Sequence, residues 1–303
     1  MAGERIRTLA DAWRNASSEV IAVSGAERRA SRSTTRGVAT TPSSSSADIR
    51  RFFDRSAATG SREQHGDAQR LLEYRLALVR SLAQLRPTDV VLDLGCGNGH
   101  HLLALAPEVA RGIGIDISPG MIELARARLR TSSGTANLAF AMDDAEELTG
   151  IADQSIDLAI CIGAFEHMLD KRAVLASVYR VLKFGGRFVC LTLHSNYVWY
   201  RTLAPLLGFS TKHLSSDRRL THDEFALLLD QVGFGGIRFA PWTFIPKGDV
   251  PPAIATLLTL LDAIGRHARL DSHRGGLSLC AWKQAKPTPA TRADPDCAQV
   301  STA

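Results

Sequence analysis

The 303-residue sequence lacks the features of several protein classes. It has no run approaching the roughly 20 apolar residues that a membrane-spanning helix needs, so we expect no transmembrane segment. The cysteines are few and scattered, without the paired spacing of a metal site or the even number of a disulfide framework; they stand at 96, 161, 190, 280 and 297. Three of them lie in apolar, strand-like runs, where cysteine is commonly a small core residue. These cysteines predict a reducing compartment, which we take as cytoplasmic, and no metal site.

A strongly basic surface is missing as well. The net charge is +5, but residues 1–47 carry seven arginines against four acidic residues, and residues 284–303 are balanced. Residues 48–283 therefore hold a charge of only about +2. A nucleic-acid-binding protein usually displays a concentrated basic face, so we expect no nucleic-acid partner.

Composition divides the chain into three parts. Residues 1–47 end in a low-complexity Thr-Thr-Pro-Ser-Ser-Ser-Ser stretch that cannot bury enough apolar surface to fold, which predicts a disordered extension. Its arginines and serines also fit an organellar transit peptide, although its four acidic residues argue against one. We expect a single domain over 48–283 and a disordered tail over 284–303.

The central motif is the stretch from Val90 to Gly99, an apolar run that stops at Asp93-Leu94 and three closely spaced glycines. The apolar run predicts a strand buried on both faces, and the good helix formers after His100 predict a helix. Glycines in between allow a sharp turn and close approach of a ligand to the main chain. A strand, a glycine turn and a helix together predict a small-molecule site at the end of the strand.

The glycine spacing distinguishes two families that share this arrangement. The dinucleotide fingerprint has its third glycine three positions after the second, where this sequence has His100. The sequence instead resembles the class I S-adenosylmethionine-dependent methyltransferases of the small-molecule, type 11-like group. Their first motif reads acidic-x-Gly-x-Gly-x-Gly, as Asp93 to Gly99 does.

The resemblance implies the fold: a Rossmann-like α/β sheet of seven strands in the order 3-2-1-4-5-7-6, with the last strand antiparallel, helices on both faces and an inserted substrate cap. Alternating strands and helices independently predict a parallel sheet for the first five strands. We expect the later strands over 111–116, 137–142, 156–161, 187–193, 237–242 and 277–283. Gly185 is expected to cap the helix over 171–182.

The resemblance also implies S-adenosylmethionine as the cofactor and assigns residues to it. Asp116 ends the second strand 21 residues after Gly95 and would bind the ribose hydroxyls, as acids there do in both nucleotide-binding families. Asp144 would accept a hydrogen bond from the adenine amine, with Asp143 as the alternative if the register slips by one. The other cofactor residues are Asp93, Gly95, Cys96, Gly97, Gly99, Ile117, Met121, Ala145 and Cys161.

Methyl transfer from a sulfonium mainly requires that the acceptor be held close and aligned, and a general base is needed only when the acceptor must lose a proton of high pKa. His167 and His194 are the candidate bases, with His222 as a weaker one, and Glu166 could orient the acceptor or the amino acid part of the cofactor. Each histidine is alternatively structural.

Two insertions, 194–220 and 243–276, predict the substrate cap, because long segments on rigid scaffolds often cover a site. The second contains an amphipathic pattern whose apolar face we expect to pack on the core, with a dimer interface or a membrane surface as alternatives. Phe52, Phe53 and Arg75 could line the cleft, or the aromatics could simply fix a helix to the core.

Absent motifs narrow the acceptor. Enzymes that methylate nucleobase amines have an Asp/Asn-Pro-Pro-aromatic turn where this sequence has Cys161 to Ala164, and no Pro-Cys nucleophile is present. The resemblance therefore implies methyl transfer to an O, N or C atom of a small, partly hydrophobic metabolite, by a monomer or homodimer. A non-catalytic S-adenosylmethionine-binding protein and a nicotinamide-dependent oxidoreductase are the alternatives.

Overall fold

A computed structural model describes residues 45–59, 68–197, 217–240 and 275–284, together with positions 202, 206, 256–257, 260–261 and 263–264. The predicted disordered ends fall almost wholly outside these residues, as does most of both predicted cap insertions. Of the amphipathic segment, Leu257, Leu261 and Ile264 are described and are 53, 49 and 55% exposed. The packing on the core that the pattern favoured is therefore not seen at these three positions.

The helices alternate with strands along most of the chain. The helices are α1 Ser46–Ala58, α2 Ala68–Ala83, α3 His100–Leu105, α4 Pro119–Thr131, α5 Lys171–Val181 and α6 His222–Val232. The strands are β1 Val90–Leu94, β2 Arg111–Asp116, β3 Leu138–Met142, β4 Ile156–Ile162, β5 Leu182–Leu193, β6 Phe234–Ala240 and β7 Gly276–Lys283. Single 3-10 turns lie at Ala106–Glu108 and Phe165–His167. None of the described helices is long and apolar enough to pass through a lipid bilayer.

The strands form one sheet in the order β3-β2-β1-β4-β5-β7-β6, as predicted. Strands β1 to β5 run parallel, and β7 lies antiparallel to both β5 and β6. The central strand β1 alternates its side chains between two apolar cores: Val91 packs on the α2 and α3 side, and Leu92 packs on the α5 and α6 side. Both side chains are fully buried, so helices cover both faces of the sheet, as a parallel sheet requires.

Local sequence sets the helix starts. Ser45 and Thr221 form capping boxes with Asp48 and Glu224, and Ser118 accepts a hydrogen bond from the Met121 N–H at the start of α4. These caps satisfy N–H groups that the first helical turn leaves unpaired.

Two strands begin three or more residues before their predicted starts. Helix α5 ends at Val181, and β5 begins at Leu182 rather than Arg187, so the proposal that Gly185 caps the helix is wrong. The segment after Leu182 pairs with the start of β4 through a register shift, and Gly185 takes φ +77° within that irregular stretch. Strand β6 begins at Phe234, three residues before the predicted start.

Candidate active site

A cavity of about 460 Å³ opens at the carboxyl ends of β1, β2 and β4. Sheets of this kind bind ligands at that edge, and the volume lies in the range of roughly 300–1,000 Å³ typical of small-molecule sites. The glycine turn after β1, the tip of β2, the turns after β3 and β4, and helices α1 and α2 all contribute to its lining.

The glycine turn brings the main chain to the cavity. Gly95 and Gly97 both have left-handed conformations, with φ of +65° and +53°. A Cβ on Gly95 would stand 2.5 Å from the Cβ of Ala164, whereas a Cβ on Gly97 would meet nothing within 4 Å. Gly95 is thus required for packing against the turn after β4, and Gly97 leaves room for a ligand against its backbone.

Asp116 fastens this turn to β2. Its two carboxylate oxygens accept hydrogen bonds from the N–H groups of Gly97 and Ser118, each at 2.9 Å. The side chain lines the cavity although the residue is only 9% exposed. Burial raises the pKa of Asp116, while the two N–H donors oppose that shift. A carboxylate in this position still has lone pairs for a ligand's hydroxyl groups.

Asp93 lies beneath the turn rather than in the cavity lining. It is 1% exposed, and its Oδ2 has no hydrogen-bond partner among the described residues. Burial, followed by the nearby charge of Asp116, raises the pKa of Asp93 to about 8. A buried acceptor without a donor is unfavourable, so a bound molecule that provided a donor here would stabilise the turn.

The two acids in the turn after β3, Asp143 and Asp144, differ in how many hydrogen bonds they accept. Asp143 accepts hydrogen bonds from Asp144 N, Thr149 Oγ1 and Gly150 N at 2.9, 3.2 and 3.0 Å, so its carboxylate holds the turn itself together. Asp144 accepts one from Glu146 N at 2.9 Å. Both acids and Ala145 line the cavity. Asp144 has the greater remaining capacity to accept a ligand donor.

Glu166 and His167 lie in the 3-10 turn after β4, and both line the cavity. Glu166 is buried and accepts a hydrogen bond from Thr192 Oγ1 at 2.6 Å. His167 Nδ1 lies 2.7 Å from Asp217 Oδ1. Burial disfavours the charged ring, but Asp217 and the negative charge of Glu166 outweigh it and raise the pKa of His167. With Nδ1 committed to Asp217, Nε2 is the ring nitrogen left for proton exchange.

Sequence reasoning missed Asp217 and Lys171. Asp217 is 50 residues from His167 and fell at the end of a predicted cap segment. Lys171 is buried, and its Nζ donates to the carbonyl groups of Phe165, Glu166 and Met168 at 2.8, 3.3 and 3.0 Å. Burial lowers the pKa of Lys171. The lysine holds the turn that carries Glu166 and His167. Nothing in the sequence around Lys171 indicated that role.

Helix α1 covers the cavity from outside the sheet. Phe52 and Phe53 line it, and the Phe53 ring packs edge-on against His167 with a centroid distance of 5.2 Å. Asp54 Oδ1 accepts hydrogen bonds from Ser118 Oγ and Gly120 N at 2.6 and 3.1 Å. The helix is thus attached to the segment that directly follows Asp116.

The residues assigned from the sequence divide into those that line the cavity and those that do not. Gly95, Cys96, Gly97, Asp116, Ile117, Met121, Asp144, Ala145, Glu166 and His167 line the cavity, and so does Arg75. Asp93, Gly99, Cys161 and His194 lie outside its lining. A Cβ on Gly99 would stand 2.7 Å from the Phe140 ring, so that glycine allows close packing of α3 near β3.

Cys161 and His194 are both buried away from the cavity. Cys161 is fully buried between Leu94 and Cys190 in the register of the sheet. His194 Nδ1 accepts a hydrogen bond from Asn196 N at 3.0 Å, and its ring lies 4.7 Å from that of His222. Because His194 does not reach the cavity lining, these contacts favour the structural alternative for it.

Comparison with known proteins agrees with this geometry. The family model described as "Methyltransferase domain" matches residues 85–232. An uncharacterized methyltransferase, sll0829 of Synechocystis sp. strain PCC 6803, is 32% identical over 159 residues, which are 51% of this chain and 70% of the relative. A solved putative methyltransferase, in complex with the Haloferax volcanii Trm112 activator, is 24% identical and covers 77% of this chain with 98% of its own, at a TM-score of 0.58.

Two further relatives match over less of their length. The uncharacterized methyltransferase YcgJ of Bacillus subtilis is 35% identical over 48% of this chain and 55% of the relative. A demethylmenaquinone methyltransferase of Symbiobacterium thermophilum is 32% identical over 41% of this chain and 54% of the relative. The chain thus spans little more than half the length of these two. By its first motif, its strand order and the extent of these matches, the chain belongs to the class I S-adenosylmethionine-dependent methyltransferase family.

Proposed function

We propose that the protein binds S-adenosylmethionine in this cavity and methylates a small, partly hydrophobic acceptor at a group that must lose a proton, in the first instance a hydroxyl. The observation that carries this proposal is the His167–Asp217 pair, whose histidine lines the same cavity as Gly97 and Asp116. A cofactor site alone would not require a paired histidine beside it.

The residues present fit the cofactor. Gly97 offers bare backbone, Asp116 offers a carboxylate for the ribose hydroxyls, and Asp144 with the Ala145 N–H suits the adenine edge. The unpartnered Oδ2 of buried Asp93 is an acceptor that a cationic amino group near the turn would satisfy. The bound cofactor supplies an electrophilic methyl group on a sulfonium.

The protein contributes position and proton transfer. Walls formed by α1, the glycine turn and the turn after β4 hold the acceptor, and such positioning supplies much of the acceleration in a two-reactant transfer. His167 takes the acceptor's proton at Nε2 while Asp217 fixes the ring through Nδ1. Lys171 holds the carbonyl groups of the same turn and so keeps His167 in place.

The lining supports a partly hydrophobic acceptor. Apolar side chains from α1, α2, the segment after β4 and the end of β5 contribute to it, namely Ile49, Phe52, Phe53, Leu71, Leu72, Met168, Leu169 and Leu193. One relative is named a demethylmenaquinone methyltransferase. Phenols and quinols are therefore the first acceptors to test.

The experiment is S-adenosylhomocysteine production from S-adenosylmethionine with a panel of phenols and quinols. The wild type should turn over at least one of them, and His167→Gln should lower its rate by roughly 100-fold or more, the contribution expected of a general base. His222→Gln, outside the cavity lining, is the matched control. Cofactor binding without turnover of any acceptor would favour a non-catalytic binding protein instead.

A further inference from the structure

Glu146 joins two sides of the cavity. It follows Asp144 and Ala145 in the turn after β3 and lines the cavity with them. Its Oε1 accepts hydrogen bonds from the N–H groups of Leu169 and Asp170, both at 3.0 Å. These two residues directly precede α5 and are 23 and 24 positions away along the chain. One side chain thus ties the turn after β3 to the segment that follows the turn after β4.

The main chain of Glu146 adds two further attachments. Its N–H donates to Asp144 Oδ1 at 2.9 Å, and its carbonyl accepts from Ser177 Oγ of α5 at 2.8 Å. The bonds to the side-chain carboxylate are charge-assisted, which makes them stronger than bonds between neutral groups. Glu146 is therefore fixed to the proposed adenine acceptor on one side and to α5 on the other.

The start of α5 holds the turn that carries the proposed base. Asp170 caps the helix by accepting from Arg172 N and Ala173 N at 3.0 and 2.9 Å. The next residue, Lys171, donates to three carbonyl groups in and beside the turn after β4. His167 is the last residue of that turn. A displacement of the α5 start would therefore displace His167 as well.

Another role for Glu146 is direct contact with a ligand, because it lines the cavity. Its hydrogen bonds differ from those of Asp143 in the same turn. The carboxylate of Asp143 accepts from Asp144, Thr149 and Gly150, which all belong to one short segment. The carboxylate of Glu146 instead accepts from a separate segment, before α5. These contacts favour a role between segments over a role in ligand binding.

We propose that Glu146 is a positioning residue, which sets the place of the turn carrying His167 relative to the adenine end of the cofactor. The inference rests on the proposed function and deepens it. With adenine held at Asp144, the contacts of Glu146 determine how far the base stands from the bound cofactor. Transfer between two bound molecules depends on their alignment, and a displacement of about 1 Å can cost roughly 100-fold in rate.

The first test is kinetic. Glu146→Ala should lower kcat by roughly 10- to 100-fold and leave S-adenosylhomocysteine affinity within about threefold, because alignment is lost while Asp144 and Gly97 remain. Glu146→Asp, whose shorter side chain cannot reach the same two N–H groups, should behave alike. Glu146→Gln should keep kcat within about threefold, since its amide oxygen still accepts both bonds. Glu147→Ala, at the exposed neighbouring residue, is the matched control.

A double-variant cycle shows whether Glu146 acts through His167. In the His167→Gln background, Glu146→Ala should lower the remaining rate by no more than about twofold, because the base that it positions is already missing. Effects that multiply would overturn the inference and leave the proposed function standing. Weakened S-adenosylhomocysteine binding with unchanged kcat would also overturn it, and would assign Glu146 to ligand contact.

NMR titration of the His167 ring needs no acceptor. The charged groups that act on this ring are Asp217, Glu166, Lys171 and Asp116. Glu146→Ala should loosen the contact with Asp217 and lower the pKa of His167, and Glu146→Gln, which removes the same charge, should not. The signal is identified by its loss in His167→Gln. An unchanged pKa of His167 in Glu146→Ala overturns the inference, whereas the expected shift in a protein that turns over no acceptor contradicts the proposed function alone.

Discussion

Asp93 combines full burial with a carboxylate oxygen that no described residue satisfies. The pKa of this carboxyl is raised from 3.8 to about 8. Between pH 3.8 and pH 8 the native protein therefore keeps a proton on Asp93 that the unfolded chain loses. The associated stability is fully present below pH 3.8 and is lost as the pH rises through 8. The acid that opens the glycine motif thus costs stability at neutral pH in the protein without ligand.

Replacing Asp93 by Asn should remove that pH dependence. Between pH 5 and 8 the wild type should lose up to about 1.4 kcal/mol of unfolding free energy per pH unit because of this group, and the variant should not. Urea unfolding at several pH values, without cofactor, measures the difference. Asp153→Asn, at an exposed ion pair with Arg180, is the control, and parallel profiles for wild type and Asp93→Asn would contradict the assignment.

The contact between His167 and Asp217 leads to a prediction for the pH dependence of activity. Asp217 helps to raise the pKa of His167, so Asp217→Asn should lower that pKa toward its ordinary value. Only the neutral ring accepts a proton, and therefore the acidic limb of the pH profile of kcat/KM should move to lower pH. The plateau should fall by roughly tenfold, because the remaining base is weaker and less well oriented. Asp230→Asn, exposed on α6, should keep the wild-type profile; an unshifted limb in Asp217→Asn would exclude the pair as the base.

At the scale of elements, α1 joins the cavity to the segment after β2. Arg50 Nε donates to the Ile117 carbonyl at 3.2 Å, and Asp54 accepts from Ser118 and Gly120. A Cβ on Gly120 would stand 3.1 Å from that of Ala57, which shows how closely the helix approaches. The hydrogen bonds hold α1 across the cavity, so they should slow the release of a bound cofactor.

Asp54→Ala tests that role of α1. Loss of two hydrogen bonds to a carboxylate should speed S-adenosylhomocysteine dissociation by roughly 10-fold, measured by stopped-flow displacement. The free energy of unfolding should fall by no more than about 1–3 kcal/mol. Arg51→Gln, which removes an exposed ion pair on the same helix, should leave the rate unchanged. Equal rates in the two variants would show that α1 does not control release.

The elements also show what sequence could and could not predict. The glycine turn, Asp116 and the turn after β3 are local patterns at strand ends, and a parallel sheet brings such ends to one edge. Asp217 and Asp54 act across the chain, 50 residues from His167 and 64 residues from Ser118, and no local pattern marks such partners. The helix end near Gly185 was missed because pairing with β4 extended β5 backwards against the local helix signal.

At the scale of the whole molecule, the order β3-β2-β1-β4 determines the site. It places the turn after β3, the tip of β2, the glycine turn and the turn after β4 side by side along one edge. The central claim is that S-adenosylmethionine lies along this edge against the main chain of Gly97.

Two glycine substitutions test that claim most directly. Gly97 and Gly185 both have left-handed φ, of +53° and +77°, and an added Cβ meets nothing within 4 Å at either position. Alanine should therefore cost about 1–3 kcal/mol of strain at each, but only residue 97 lines the cavity.

The measurement is calorimetric titration of S-adenosylhomocysteine into the wild type, Gly97→Ala and Gly185→Ala. We expect the wild type and Gly185→Ala to bind S-adenosylhomocysteine, and Gly97→Ala to lose at least tenfold in affinity. Wild-type affinity in Gly97→Ala, or no binding by the wild type, would contradict the central claim.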